Sequence, residues 1–310
     1  MKKILIIGSF ITDLVVKSER FVEEGETIIG ESFHQFTGGK GANQAIAAAK
    51  LGGNVEMIGK LGADKFGEDQ IKSLRENNVK HDNVLFTNTA SSGIGNPHIN
   101  AQGQNRIVII PGANSEFSTE DVQGFESAIR GADILVLQLE LPLETVYEAI
   151  TIGNKYGKTI ILNPAPAAEL DPKYAPFVTY IAPNEHEAAV LTDIDTSSDI
   201  GVREAASNLL EQGYQNVIIT LGQNGSYFKN KDSELHTPAF SVSPVDVTAA
   251  GDTYIGALAY GLAQNSQITK ALTYASAAAS LSVTKMGAQP SLPTKSEIDQ
   301  FLEKTEKIKK

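Results

Sequence analysis

The chain contains no cysteine in 310 residues. There can be no disulfide, no thiolate nucleophile and no cysteine-ligated zinc. That suits a reducing compartment, and the cytoplasm is the expected location. Long apolar runs are missing too, and nothing approaches the ~18–20 residues that a membrane-spanning helix needs. The N-terminal MKKILIIGSF carries two lysines and a short apolar run. The run stops at Gly8 with no small-residue cleavage site behind it, so a first strand is expected there and not a signal peptide. Positive charge is in deficit, with 26 Lys and Arg against 37 Asp and Glu and a net charge of −11. Such a surface repels phosphate backbones, so no nucleic-acid partner is expected. An anionic ligand would need local donors that override the global field.

The common phosphate-binding fingerprints are also absent. After the first strand the chain reads Gly8-Ser9-Phe10-Ile11-Thr12-Asp13, without the second and third glycines of a dinucleotide site. The nearest approach to a P-loop, Gly153 to Thr159, is one residue short and runs from a helix end into a strand, the reverse of the required order. The five histidines are scattered, and His186 has no second histidine at helical spacing, which excludes a zinc hydrolase of the common kind.

What is present is a rhythm of short apolar runs and helical patterns. Strands are expected at 3–7, 54–58, 133–137, 159–162, 178–182 and 216–220. Helices are expected at 41–51, 64–77, 142–155, 200–213, 251–263 and 268–282. This alternation implies an α/β fold with a mostly parallel sheet between helical layers. Segments 14–36 and 91–111 break the rhythm. They read as strands and turns, with tips at Gly25 and Gly103, and together suggest a small antiparallel lid on a single domain spanning 1–310.

Two loops carry the chemistry. Asp246-Val247-Thr248-Ala249-Ala250-Gly251-Asp252-Thr253 precedes an alanine-rich helix. Ala249, Ala250 and Gly251 have almost no side chain and sit where a helix leaves amides unpaired at its positive end, which suits a transferring phosphoryl group. Asp252 beside them can accept the proton of an attacking hydroxyl. The second loop, Gly38-Gly39-Lys40-Gly41-Ala42-Asn43, opens another helix and offers donors from Lys40 and Asn43.

These loops and five further segments, in order, resemble the ribokinase family of carbohydrate kinases, also called the PfkB family. The segments are GGKGANQA from Gly38, LQLE ending at Glu140, LNPAPA from Leu162, PNEHE from Pro183, ITLGQNG from Ile219, DVTAAGDT from Asp246 and KMGAQPS from Lys285. The resemblance spans residues 3–301 and implies a three-layer α/β/α kinase fold. It implies an ATP-dependent kinase acting on the 5-hydroxyl of a pentose, with D-ribose the first expectation. The alternatives are 2-deoxyribose, another small-molecule acceptor such as a nucleoside, or, remotely, a non-catalytic sugar sensor.

The resemblance also implies site residues. The sugar would meet Asp13, Gly39, Lys40, Asn43, Glu140 and the base Asp252. ATP would lie against Asn184, Thr220, Gly222, Gly225, Ala249, Ala250, Gly251 and Ser276. Mg2+ would be served by Glu187 through water. A monovalent cation, K+, would be held around Asp246, Thr248, Ser282, Lys285, Gly287 and Ser291, mostly through backbone carbonyls. A homodimer joined through the lids is implied as well, with Val15, Phe33 and Ile109 as a seam on one lid face.

Two departures bear on the sugar. Ile11 stands where ribokinases carry an asparagine that contacts ribose near its 2-hydroxyl. An unpartnered buried hydroxyl loses about 1–3 kcal/mol, so the preference for ribose over 2-deoxyribose should weaken or invert. Asn96-Pro97-His98 replaces apolar lid residues. Pro97 suits a strand edge or bulge, and His98 either reaches the sugar or packs within the lid.

Overall fold

The computed structural model describes residues 1–308. The chain opens with β1 (Lys3–Ile7), sends out β2 (Ile11–Lys17) and β3 (Ser32–Gly38), and returns through α1 (Lys40–Lys50). Next come β4 (Asn54–Gly62), α2 (Lys65–Glu76) and β5 (Val84–Thr87), then a second excursion, β6 (Gly93–Ile99) and β7 (Asn105–Ile110). The middle of the chain holds α3 (Thr119–Gly124), α4 (Glu126–Gly131), β8 (Ile134–Leu137), α5 (Leu143–Lys155) and β9 (Thr159–Leu162). There follow β10 (Tyr180–Ile181), α6 (Glu185–Thr192), α7 (Asp199–Glu211) and three strands, β11 (Asn216–Thr220), β12 (Ser226–Asn230) and β13 (Glu234–Thr237). The last helices are α8 (Ala250–Ala263), α9 (Ile268–Ser282), α10 (Ala288–Ser291) and α11 (Lys295–Ile308).

The main sheet runs β13-β12-β11-β10-β9-β8-β1-β4-β5, parallel from β5 to β11 and antiparallel at β12 and β13. Its strands are apolar on both faces, as parallel strands between helical layers must be. Ile4, Ile6, Val55, Met57, Ile134 and Val136 pack under α1, α8 and α9, while Leu5, Ile7, Leu135 and Leu137 pack under α5 and α7. Strand order reverses at β1. The chain adds β4 and β5 on one side and β8 to β11 on the other, which opens a crevice at the carboxyl ends of the strands, the usual ligand position in such sheets. The carboxyl-end residues are Ser9 after β1, Gln138 and Glu140 after β8, Asn163 after β9, Asn184 after β10 and Thr220 at the end of β11.

The two excursions form a second sheet, β3-β2-β6-β7, over that crevice. It is the expected lid, with one difference from a purely antiparallel sheet: β2 and β6 are parallel. Both rise from the body at the same end, at Ile11 and Gly93, so they must run side by side in one direction. Pro97 lies in an interior strand and not at an edge. The β2–β6 pairing lapses at Asn96 and Pro97, where proline has no N–H to give, and resumes at His98. The Asn96 side-chain amide donates to Leu14 O at 2.8 Å and satisfies one carbonyl in the gap. His98 packs within the lid, Nε2 against Ser18 Oγ at 2.5 Å and ring edge-on to Phe21.

Candidate active site

Alanine and glycine determine how close α1 and α8 come. A Cβ added at Gly256 of α8 would stand 2.6 Å from Ala47 Cβ and 2.7 Å from Gln44 O, so the two backbones nearly touch. At that separation short side chains on α1 reach Asp252. Asn43 Nδ2 donates to Asp252 Oδ2 at 2.9 Å and Gln44 Nε2 donates to Oδ1 at 3.0 Å. Asp252 is 7% exposed, so it is not a solvated first-turn aspartate.

Next to Asp252 the helix mouth is shaped by Ala249, which adopts left-handed φ 59° and ψ 14° at a cost of about 1–2 kcal/mol for an L-residue. From sequence, bare amides are expected at Ala249, Ala250 and Gly251. The tight turn through Ala249 instead lets the Ala250 amide bond Val247 O at 3.2 Å. The amides of Ala249, Gly251 and Asp252 have no protein acceptor among the described residues. A Cβ at Gly251 would meet nothing within 4 Å, and its φ is not in the left-handed region. Neither packing nor backbone therefore requires glycine there. The open space lies where a phosphate would approach.

The sugar-side residues converge. Gly39, at φ 91°, turns the chain into α1, and a Cβ there would stand 2.6 Å from Ile11 N. That glycine fits α1 against the β1–β2 turn, and its missing side chain does not face the cavity. Glu140 Oε2 accepts from Ser9 Oγ and from the Lys40 amide at 2.9 Å. Burial raises the Glu140 pKa, against the opposing pull of Lys40. Burial works against the Lys40 ammonium, but Asp252, Glu140 and Glu187 outweigh it and raise its pKa. Asp13 accepts no hydrogen bond from the described residues, and Gly38 and Gly95 make room for it: a Cβ on either would crowd its carboxylate at 3.0 or 2.5 Å. Burial, then Glu140 and Asp252, raise its pKa to about 6. Asn43 Oδ1 is buried without a partner. An unpaired carboxylate and an unpaired amide oxygen are groups that a polyhydroxylated ligand would satisfy. The cavity, about 910 Å3, is lined by Ile11, Lys40, Glu140 and Glu187 from the body and by Ile109 from the lid.

Of the residues expected to meet the nucleotide, Asn184 and Thr220 lie at the carboxyl ends of β10 and β11, Gly222 and Gly225 just beyond, and Ser276 on α9. Asn184 caps α6 and forms a reciprocal box with Glu187, whose carboxylate accepts from the Asn184 amide at 2.8 Å and side chain at 2.9 Å. Glu187 is 7% exposed, not a solvated helix residue. Burial raises its pKa against the Asn184 hydrogen bond and Lys40. Thr220 bridges to Asn184, and Gly222 and Gly225 form the positive-φ turn after it. Ser276 Oγ donates to Pro238 O at 3.1 Å. Among the described residues no three His, Asp or Glu side chains cluster to hold a metal. A divalent ion would depend on nucleotide oxygens and water besides Glu187, as suits Mg2+.

Asp246 ties the phosphate loop to the 283–291 segment. Its Oδ1 accepts from Thr248 N and Oγ1, and its Oδ2 accepts from Gly287 N at 2.8 Å. Burial pushes its pKa up, but these bonds prevail and hold it below the usual value. Ser282 and Ser291 are fully buried, with hydroxyls donating to Ala279 O and Ala288 O. Lys285 turns its ammonium to Glu297, so only its backbone could face a cation. Both Asp246 oxygens and the Ser282 and Ser291 hydroxyls are thus engaged within the protein, so a monovalent cation here would depend on backbone carbonyls.

The sequence reading passed over Gln44, Gln138, Asn163 and Ser9, although three of them lie inside the motifs it quoted. Their signal was a polar residue within an otherwise apolar strand end or an alanine-rich helix.

Known proteins resemble the chain over nearly its whole length. The model of the pfkB family of carbohydrate kinases matches residues 1–295. A deoxyribokinase from Salmonella typhi is 39% identical over 300 residues, covering 96% of this chain and 98% of its own. A ribokinase from Bacillus subtilis is 39% identical over 302 residues, covering 97% of this chain and 100% of its own. The structure of Arabidopsis thaliana ribokinase complexed with ribose and ATP superposes with a TM-score of 0.92 at 29% identity, covering 97% of this chain and 98% of that one.

Proposed function

Because this chain belongs to the PfkB family of carbohydrate kinases, we propose that its single domain transfers the γ-phosphoryl group of ATP to the 5-hydroxyl of a pentose, with Asp252 as base. The chain is an ATP-dependent sugar kinase. The observation that carries the residue assignment is Asp252 itself. It is buried, held on both oxygens by Asn43 and Gln44, and set beside unpaired amides at a helix mouth.

The pentose lies between Asp13, Asn43 and Glu140, which accept from its hydroxyls, and Lys40. The lid covers it and excludes water that would otherwise take the phosphoryl group. Asp252 accepts the proton of the terminal hydroxyl as that oxygen bonds the γ-phosphorus. The bond to the β-phosphate oxygen breaks and ADP leaves. The free amides of Gly251 and Asp252 meet the charge on the transferring group. Glu187 and Asn184 are the residues that would hold Mg2+, which spreads phosphate charge when bound, and Asp246, Thr248 and Gly287 mark the K+ position. ATP lies along Asn184, Thr220, Gly222, Gly225 and Ser276.

D-Ribose is the first acceptor, and one observation favours 2-deoxyribose as a second. Ile11 lines the cavity and offers no hydrogen bond to a 2-hydroxyl. The cytoplasm, where ATP is at hand, is the proposed location. Among the described residues no helix is long and apolar enough to cross a membrane.

The lids are proposed to join two chains, although the seam differs from the sequence expectation. Cross-strand register puts Val15 and Ile109 on the face of Asp13, while Phe33, paired with Val16, is on the opposite face. The supporting feature is β7, an edge strand with Ile107, Val108, Ile109 and Ile110 all more than half exposed.

An ADP-release assay across D-ribose, 2-deoxyribose, fructose and adenosine tests the function. Turnover with the pentoses is expected, reduced roughly 10²–10⁴-fold in kcat by Asp252→Asn, the usual worth of a general base. An Asp252→Asn enzyme with more than about a tenth of wild-type kcat ends the assignment.

A further inference from the structure

A base must present one carboxylate oxygen to its substrate in a fixed direction. Asp252 sits on the first turn of α8, and two donors fix it. Asn43 keeps an unpaired Oδ1, which the proposed function assigns to a sugar hydroxyl. Gln44 is fully buried. Its Nε2 donates to Asp252 Oδ1 and to Asn163 Oδ1, both at 3.0 Å, and its Oε1 accepts from Gln138 Nε2 at 2.7 Å. Asn163 Nδ2 donates to the Ala182 carbonyl at 3.1 Å.

The direction of every amide in this chain follows from that carbonyl. The Ala182 carbonyl can only accept, so Asn163 must present its NH2 there and its oxygen to Gln44. Gln44 must then present its NH2 to Asn163 and Asp252, and its oxygen to Gln138. A flipped Gln44 would set its oxygen against the Asp252 carboxylate and its NH2 against the NH2 of Gln138. Gln138 reaches the spot because Gly8 leaves room, since a Cβ there would stand 2.1 Å from Gln138 Oε1. That Oε1 is buried with no partner, so the stretch is kept at a cost in stability.

We infer that Gln44, oriented by Gln138 and Asn163, is a positioning residue that locks the Asp252 carboxylate onto the acceptor hydroxyl, so that the carboxyl ends of β8, β9 and β10 set the direction of the base. The inference rests on the reading of Asp252 as base. It makes Gln44 matter to kcat while leaving both binding sites alone.

The test compares wild type, Asp252→Asn, Gln44→Met, Gln138→Met and the double Gln44→Met/Gln138→Met, each with ATP and a pentose, alongside thermal melts. Gln44→Met is expected to lower kcat about 10–100-fold, with both KM values within about twofold. Gln138→Met should give a smaller loss of kcat. In the Gln44→Met background, Gln138→Met should change kcat no further, because its effect passes through Gln44. Single variants with wild-type kcat overturn the inference, as do losses that add in the double variant or follow the melting temperature. If Gln44→Met does not fold, Gln138→Met decides alone: a kcat loss at unchanged KM supports the relay, and an unchanged kcat refutes it. An active wild type with inactive Asp252→Asn and unimpaired glutamine variants defeats only this inference. A wild type with no pentose turnover defeats the function as well.

Discussion

Adding one methyl group at Gly256 should slow the enzyme without touching any ligand. The new Cβ would stand 2.6 Å from Ala47 Cβ, 2.7 Å from Gln44 O and 3.1 Å from Ala48 N. Carbon atoms rest at about 3.5–4.0 Å, so α8 must move roughly 1 Å away from α1. Asp252 lies one turn earlier on the same helix. Its bonds to Asn43 and Gln44, now 2.9 and 3.0 Å, would then stretch to about 4 Å, beyond hydrogen-bonding range. Overpacking costs about 1–3 kcal/mol, and replacing a helical glycine with alanine returns about 1 kcal/mol. A net loss of about 1 kcal/mol lowers Tm by roughly 1–2 °C in a domain of this size. Displacing a catalytic group by about 1 Å costs about 10²-fold in rate. Steady-state kinetics on Gly256→Ala should therefore show kcat down 10–100-fold with little change in KM for ATP. Gly261→Ala is the control: its Cβ would meet Ala271 Cβ at 3.0 Å on the α9 side, so it gains the same helix propensity without pushing on α1. Wild-type kcat in Gly256→Ala would refute the claim that this close packing sets the base.

Ile11→Asn should raise kcat/KM for ribose relative to 2-deoxyribose by about 10-fold or more, the worth of one buried hydrogen bond; an unchanged ratio in competition assays would remove Ile11 from the sugar wall. Asp13, raised to about 6 from 3.8, binds its proton more tightly folded than unfolded, so its contribution to stability is full below about pH 4 and declines as pH rises to about 6. Asp13→Asn should therefore melt higher than wild type above pH 6, by no more than about 3 kcal/mol, and match it below pH 4, while a lower melting point at pH 7 would contradict the unpaired carboxylate. The pentose KM of the wild type should rise below pH 6, because a sugar hydroxyl donates to the ionised form, and a flat pH profile would place the sugar elsewhere. Val108→Lys, on the lid face away from the sugar, should convert a dimer to monomers in sedimentation, and an unchanged sedimentation coefficient would put the seam elsewhere.

Much of the body was readable from sequence because its signals are local. The strands at Lys3–Ile7, Thr159–Leu162 and Asn216–Thr220 and the helix Ile268–Ser282 run where apolar runs and alanine periodicity place them. The edge hairpin β12–β13 was not visible, since SYFKN and ELHT carry weak alternation and gain their pairing from β11. β10 shrank to two residues because tertiary pairing, not propensity, sets its length. Residue type and spacing pointed to Asp252, Lys40 and Asn43, and the family resemblance added Glu140 and Glu187.

The amino-acid order by itself determined the layered fold, the phosphate-type loop and the choice of Asp252 as candidate base, since each depends on neighbours within a few residues. The tertiary structure alone decided the parallel lid centre, which amides stay unpaired around Ala249, the unpartnered Asp13 and the amide chain from Ala182 to Asp252. Those join residues up to 208 positions apart in the chain, and the direction of a hydrogen bond between distant side chains exists only once the sheet has brought its strand ends together.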